Sequence, residues 1–303
     1  MSSHAEAATP LDSSHPNYWG QTSVRWAIIA FFALAHGLAV WGAVHIVTHF
    51  SWATLSLGIG WYLLCGLSIT AGYHRLFSHQ SYKASAVVRA LYLMFGAASC
   101  QNSALAWCQD HRRHHRYTDE PADPYSTSHG FLWAHIGWIW HVTPADTPEV
   151  KVDDLERDPL VRFQHNFWVP LAVMFGAVIP AAIAGLWGDA LGGLLVAGFL
   201  RLVLAWHSTF SVNSFAHTFG QRAYAAGASA RDSAWVALIS LGEGYHSFHH
   251  RFQSDYRNGV RWYHFDPSKW LIWTLSRLGL ARQLIRVPVR SREAAQSTAG
   301  GRA

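Results

Sequence analysis

Nine histidines stand in spacings that suit one kind of chemistry, the binding of metal ions. His74 and His79 form an HxxxxH pair, His111, His114 and His115 form HxxHH, and His246, His249 and His250 repeat that pattern. His217 follows Asn213 by four residues. Composition alone would produce an HxxHH roughly 0.09 times in a chain of this length, so two copies are not a compositional accident. On a helix, positions i, i+3 and i+4 share a face. Each HxxHH therefore offers two or three imidazoles to one point, and Asn213 and His217 share a face in the same way. The five-residue step from His74 to His79 turns through about 140° net at 100° per residue. That pair is expected to place one ligand on each of two ions rather than to chelate one. Nine imidazoles exceed the needs of one ion, and two metals is the economical count. Imidazole suits zinc, copper, iron or nickel. The setting favours iron, because the ligands fall just past hydrophobic spans, where a lipid tail and dissolved oxygen meet. Soluble di-iron bundles use Glu and Glu-x-x-His ligands; here histidine replaces most or all of the carboxylates. Asp110 and Glu243, each beside a histidine cluster, are candidate acceptors for ligand N–H groups.

The elements that must position these residues are apolar. From Trp26 to His74 there is no Asp, Glu, Lys or Arg, which is room for two spans of about 20 residues. Spans are predicted at about 25–47 and 52–73, broken near His49-Phe50-Ser51-Trp52, and again at about 166–187 and 190–212, broken at Gly188-Asp189. Pro170 and Pro180 sit in the third span, which a helix in lipid tolerates when neighbours satisfy its backbone. Arg201 lies in the fourth and must face the protein interior or water. Ala84 to Cys100 is apolar but carries Arg89, and reads as an interfacial or core helix rather than a fifth span. The two short hairpin loops carry no Lys or Arg, so the positive-inside bias puts both termini and segment 75–162 on the cytoplasmic side. The chain divides into a polar N-terminal segment (1–24), an integral membrane domain (25–286) and a tail (287–303) expected to be disordered.

Composition excludes other classes. Half of the 303 residues are hydrophobic and only 14% are charged, too few charges for a disordered chain or an ordinary soluble enzyme. A net charge of +5 spread so sparsely makes no basic stripe, so nucleic acid is not a partner. A mean hydropathy of +0.07 requires an aqueous part beside the membrane part. Cys65, Cys100 and Cys108 are too scattered for a disulfide framework or a zinc site and read as buried thiols. The N-terminus lacks the basic region of a signal peptide. His36, His45 and His49 read as packing or interfacial residues, and His4 and His15 carry no signal. His129, His135, His141, His165, His207 and His264 are not promoted by the sequence.

With these residues in place, the chain resembles the membrane fatty acid desaturases, and more narrowly the acyl-CoA delta-9 desaturases of the stearoyl-CoA type. The three histidine boxes of that family match His74–His79, His111–His115 and His246–His250. The likeness runs on through Asp110-His111-Arg112, Ala122-Asp123-Pro124, Gly130, His135-Ile136-Gly137-Trp138, Asn213-Ser214, His217 and Gly242-Glu243-Gly244-Tyr245-His246. It continues to Asp255-Tyr256 and Trp262, and covers most of the chain from Trp26 to Ala281. The five-residue first box separates this group from the acyl-lipid desaturases, whose first box is usually shorter.

The resemblance implies an all-α, multi-pass fold of four transmembrane helices with a cytoplasmic helical cap holding a di-metal site. It implies nine iron-binding histidines (His74, His79, His111, His114, His115, His217, His246, His249 and His250), with Asn213 reaching one iron through a water. It also implies a closed, kinked acyl tunnel that passes near Trp206. The implied reaction inserts a cis double bond into a saturated acyl chain, with O2 as co-substrate and two electrons from a separate donor of cytochrome b5 or ferredoxin type, since no such domain is fused here. Gln109 departs from the family, whose animal acyl-CoA enzymes have an Arg there, and the loop Pro144–Val161 is short. An acyl carrier protein or a lipid-bound acyl group is the alternative to CoA as carrier. A hydroxylase or ketolase could use the same boxes. A membrane metal transporter or haem-binding protein is disfavoured, because the histidines flank the spans instead of standing at mid-membrane.

Overall fold

The computed structural model describes residues 22–142, 147–224 and 227–300. The expected polar segment, with His4 and His15, lies outside the described residues as far as Gln21, as do Pro144 and the last three residues of the tail. Helix α1 (Trp26–Thr48) and α2 (Trp52–Ser78) form the first hairpin. A cap segment follows, with α3 (Ala86–Ala97), α4 (Ala104–Arg116), the short α5 (Trp138–Trp140) and α6 (Asp153–Glu156). Helices α7 (Pro159–Gly185) and α8 (Ala190–Thr218) form the second hairpin. The remainder adds α9 (Ala234–Ile239), α10 (His246–Arg251), α11 (Pro267–Arg277) and α12 (Val289–Gly300). Helices α1, α2, α7 and α8 are long and apolar enough to cross a membrane. The chain is an integral membrane protein, as the charge-free stretches require.

The spans are turned inside out relative to a soluble fold. Leu34, Val40, Val44 and Val47 of α1 point outward, while Phe32, Ala35, Ala39 and Gly42 face the bundle. Small inward residues let helices approach where no hydrophobic drive separates lipid from protein. At Gly42 a Cβ would come within 2.6 Å of the Leu195 carbonyl of α8. The ends of both hairpins are tied through Asp189, which caps the first turn of α8 at Gly192 N and accepts from His45 (2.9 Å) and the Thr54 hydroxyl.

The third span starts seven residues before the predicted position 166, at Pro159, with Asp158 as its cap. Asp158 and Pro159 open the helix ahead of the apolar stretch, so its first turns, with Arg162, Gln164 and His165, are polar; Pro170, which has no N–H and whose ring crowds the carbonyl four residues back, lies within it. The helix bends at Phe167 (φ −117°, ψ 18°) without ending. Its polar first turns reach back to the cap, where Gln164 accepts from Ala104 N and donates to the Tyr73 hydroxyl. Arg201 faces the interior, only 2% exposed, and donates to the carbonyls of Ala197, Ala98 and Gly176. Helix α3 is no span: Val88, Tyr92, Leu93 and Gly96 are buried, Val87 and Leu91 look outward, and Arg89 pairs with Asp158.

The tail is not disordered over its described length. Residues Val289–Gly300 form a helix in which Ala295 packs against Tyr224 and Phe248. Its run of Arg, Glu, Ala and Gln has good helix propensity, which a reading based on low apolar content overlooks. The three cysteines are free thiols.

Candidate metal centre

Each histidine box is carried by a helix end at the edge of the bundle. The last three turns of α2, Ser68–Ser78, are wound as a π-helix, the wide form in which each N–H bonds five residues back. His79 N therefore donates to the His74 carbonyl (3.1 Å). The segment is held by Arg112 of α4, whose guanidinium donates to the carbonyls of Phe77 and Ser78 and pairs with Asp154. Ser103 caps α4, which carries the second box, at Ala106 N. The third box opens α10, with Asp232 accepting from Phe248 N. The turn that feeds α10, Gly242-Glu243-Gly244, demands its glycines. Gly242 has φ +106°, and at Gly244 a Cβ would meet Ala237 N at 2.1 Å.

The nine histidines meet in two groups. His74, His79, His111, His115 and His249 offer ring nitrogens that all lie within 4.8 Å of one another, and so do His114, His217, His246 and His250. Each HxxHH thus divides, its i and i+4 members going to one group and the i+3 member to the other. The expected separation of His74 and His79 onto different ions is corrected: both belong to the five-membered group. A regular helix would hold them about 140° apart, but the π-wound turn stacks residues five apart.

Ring nitrogens face each other at distances that suit ligands of a shared ion. His74 and His249, His79 and His111, His115 and His249, His114 and His250, His217 and His246, and His246 and His250 approach Nε2 to Nε2 at 2.8–3.1 Å. Three Nδ1 protons are already committed. His74 Nδ1 donates to Glu243 (2.7 Å) and His114 Nδ1 to Asp123 (2.8 Å), while His217 Nδ1 meets Ser229 Oγ (2.6 Å). Committing the proton at Nδ1 leaves a bare lone pair on the Nε2 of each of these three rings, the atom that can bind a metal ion. Imidazole binds a divalent metal at about 2.1 Å, so nitrogens at right angles sit about 3.0 Å apart and tetrahedral ones about 3.4 Å. The observed separations lie in the range expected of nitrogens that share one ion. The rings of His79, His111, His115, His246, His249 and His250 are held well below the ordinary histidine pKa, by burial first and by neighbouring imidazoles second. Neutral imidazole is the form that binds metal.

The partners behind the rings are partly those predicted. Glu243 accepts from His74, from Arg75 (2.9 Å) and from Asn258 (2.7 Å). Burial alone would raise its pKa, but His74 and Arg75 outweigh that and hold it below the usual value, so it is ionised. Asp110 is corrected: it accepts from Arg113 (2.9 Å), not from a histidine. One helical turn places residue 110 beside 113, and its side chain leaves the face that 111 and 115 share. Asp123, quoted above only for the resemblance, takes the role expected of Asp110. Ser229 and Tyr125 (3.3 Å from His111 Nδ1) complete the set and carried no sequence signal. Asp123→Asn is expected to weaken metal binding about 10- to 100-fold, the usual cost of losing a ring-orienting partner, read by chelator competition with circular dichroism unchanged.

Beside the nitrogens a cavity of about 610 Å³ opens, touching His74, His111, His114, His246 and Asn213. It runs along α2 as far as Gly66 and Tyr62. Tyr62 lies twelve positions before His74 along that helix. Its wall includes Trp206, fully buried, stacked on Phe32 (4.3 Å) and donating to the Ser99 carbonyl. Trp107, one helical turn before His111, stacks on that ring (4.9 Å) and donates to Gln101, which in turn donates to Thr209. The expected water-mediated contact at Asn213 has no direct bond to compare with; its side chain lies on the cavity wall.

The "Fatty acid desaturase" family model matches residues 51–282. A "Probable acyl-CoA desaturase" of Schizosaccharomyces pombe is 43% identical over 83% of this chain and 52% of its own length. "Stearoyl-CoA desaturase 4" of Mus musculus is 35% identical over 84% of the chain and 74% of its own length. An "sn-2 palmitoyl-lipid 9-desaturase" of Nostoc is 33% identical over 90% of the chain and 94% of its own length. The chain spans about half the length of the yeast relatives it matches.

Proposed function

The chain belongs to the fatty acid desaturase family, and we propose that it inserts a cis double bond at the delta-9 position of a saturated fatty acyl chain, presented as acyl-CoA. In balance, –CH2–CH2–, O2, two electrons and two protons give –CH=CH– and two waters. The observation that carries this reading is the cavity that sets nine convergent imidazoles beside a channel deep enough for an alkyl chain. The family is metal-dependent, and the all-imidazole donor set suits two iron ions, which His74, His79, His111, His115 and His249, and His114, His217, His246 and His250 would hold. Asn213 stands by the second group to reach its ion through a water. Bound iron with O2 would supply the oxidising power that no side chain has against an unactivated C–H bond.

The protein's own share is position and dryness. Glu243 and Asp123 hold the protons of His74 and His114 at Nδ1, which fixes each ring with Nε2 inward. Trp206, Phe32 and Trp107 wall the cavity and exclude water from the reacting methylenes. Depth selects the carbon, because a misplacement of about 1 Å can cost about 100-fold in rate. The CoA carrier is supported by the names of the yeast and mouse relatives. The electrons come from a one-electron donor of cytochrome b5 or ferredoxin type. Both termini and the metal centre face the cytoplasm, a sidedness supported by Lys and Arg falling outside the hairpin turns.

Gly66→Leu tests the depth argument. A Cβ at Gly66 already approaches the Leu241 side chain to 2.7 Å, so leucine should block the distal cavity. The preferred substrate is expected to shorten by about two to four carbons, at about 0.8 kcal/mol for each CH2 no longer buried, in a competition between C14, C16 and C18 acyl-CoA. The whole reading is tested by expression in a host that lacks its own desaturase, with double bonds in the membrane lipids located by mass spectrometry. A delta-9 cis-monoene is expected. A hydroxy acid would assign the protein to the hydroxylases, and no new product would refute the reading.

A further inference from the structure

We infer that the turn carrying Trp262 is the docking point of a small acidic one-electron carrier protein, and that Trp262, Tyr263, His264 and Tyr245 form the conduit from it to His246. The inference rests on the desaturase reading, since that reaction draws two external electrons per turnover.

Trp262 is 89% exposed, the most exposed large apolar side chain among the described residues. It belongs to the turn between α10 and α11, not to a span. Its ring meets Tyr263 edge to face at 5.6 Å, and Tyr263 meets His264 at 5.1 Å. His264 then stacks on Tyr245 at 4.2 Å with an interplanar angle of 6°. Tyr245 directly precedes His246, whose Nε2 faces His217 and His250. Four rings in series, and the peptide bond between Tyr245 and His246, therefore join solvent to the second imidazole group.

The turn is built to hold this arrangement. The buried Lys269 ammonium donates to the carbonyls of Gly259, Arg261 and His264. At Gly259 a Cβ would meet His264 Cβ at 2.7 Å and the Tyr245 ring at 3.1 Å, so only glycine lets the turn close over Tyr245. Arg261 donates to the Tyr263 hydroxyl (2.6 Å) and orients that ring. None of these contacts gives the outermost ring a partner, and an indole left in water is the kind of group that a protein interface buries.

Charge names the partner. Among the described residues from Phe219 to Asp266, the exposed charges are Arg222, Arg251 and Arg261, with Arg257 half-buried beside Asp255. The acids Glu243 and Asp255 are buried, and Asp232 is engaged at Phe248 N. Glu293 of α12 joins the rim, outnumbered by Arg290 and Arg292. The half-buried edges of His79, His115 and His250 offer a shorter approach. The segments framing them are of mixed sign, however, with Asp119, Glu120 and Asp154 exposed. A predominantly basic rim speeds capture of an acidic partner.

The test starts on metal-free protein in lipid nanodiscs, with Trp262→Cys and a water-soluble maleimide; the native thiols are buried or half-buried. Labelling is expected to be fast, and slowed about tenfold by the soluble domain of a cytochrome b5 or by a plant-type ferredoxin, with protection lost at about 0.5 M salt. In iron-loaded protein, Trp262→Ala is expected to slow metal reduction by the reduced carrier about tenfold or more, with reduction by dithionite unchanged. Arg261→Glu should weaken carrier binding at low salt only. Labelling that neither carrier slows, or reduction by the carrier unchanged in Trp262→Ala, would overturn the proposal. Labelling blocked by the bilayer alone would also overturn it and assign the turn to lipid. Failure of the desaturase reading looks different: the unsubstituted protein, reduced by dithionite, would then make no cis-monoene.

Discussion

His114→Ala is expected to abolish desaturation, by more than about 100-fold, and to lower bound iron from about two ions per chain toward one. Of the nine histidines His114 is among the most buried. Its Nε2 lies 3.1 Å from that of His250, and its other nitrogen is bound to Asp123. It belongs to the four-membered group, which has one imidazole fewer than the other and so less redundancy. Removing it leaves the buried Asp123 with only the backbone donors of Asp119 and Tyr125, and a void where the ring stood. Metal analysis by mass spectrometry, paired with product analysis, checks both halves. His4→Ala, remote in sequence, is expected to leave iron and activity intact. Two full irons bound to an active His114→Ala protein would refute the ligand assignment.

Glu243→Ala is expected to cost stability as well as metal, by about 3–5 kcal/mol, because it strips one partner from a buried guanidinium. Arg75 is 1% exposed and divides its charge between Glu243 (2.9 Å) and Asp266 (3.0 Å). Asp266 also accepts from the backbone of Asn258, Gly259 and Lys269, so it cannot turn further toward Arg75 without breaking the start of α11. Glu243→Gln separates the two roles. Its amide oxygen can still accept from Arg75, while its NH2 opposes the His74 proton. Gln should therefore keep most of the stability yet lose about 10- to 100-fold in metal affinity. Thermal unfolding in detergent and chelator competition on both variants check this. An alanine variant that melts with the unsubstituted protein would show that the network does not hold the fold.

Much of this site is legible along the chain, because metal ligands must come from helix faces and the i, i+4 rule writes those faces into spacing. His111 with His115, and His246 with His250, needed nothing more. The spans were legible from missing charge, although the start of α7 was not, since its first turns carry Arg162, Gln164 and His165 and lie ahead of the apolar stretch. The pairing of His74 with His79 was misread, because winding a helix wide is decided by what packs on it, here Arg112 reaching across from α4 to the carbonyls of Phe77 and Ser78. Partners brought together across long stretches of chain, such as Ser229 behind His217 through Asp119, leave no local trace. Asp110 and Asp123 show the difference well. The nearer acid to the box turned to Arg113, and the one nine residues past His114 took its ring.

The wide turn at the end of α2 also bears on how such a chain can vary over generations. In an α-helix residues four apart return to the same face, and in the π form residues five apart do so. Inserting one codon and widening one turn therefore cancel. A gene that lost a codon between His74 and His79, while the segment relaxed to ordinary winding, would keep both rings on one side. The length of the first box and the winding of its helix are thus expected to change together between lineages, neither surviving a change in the other alone.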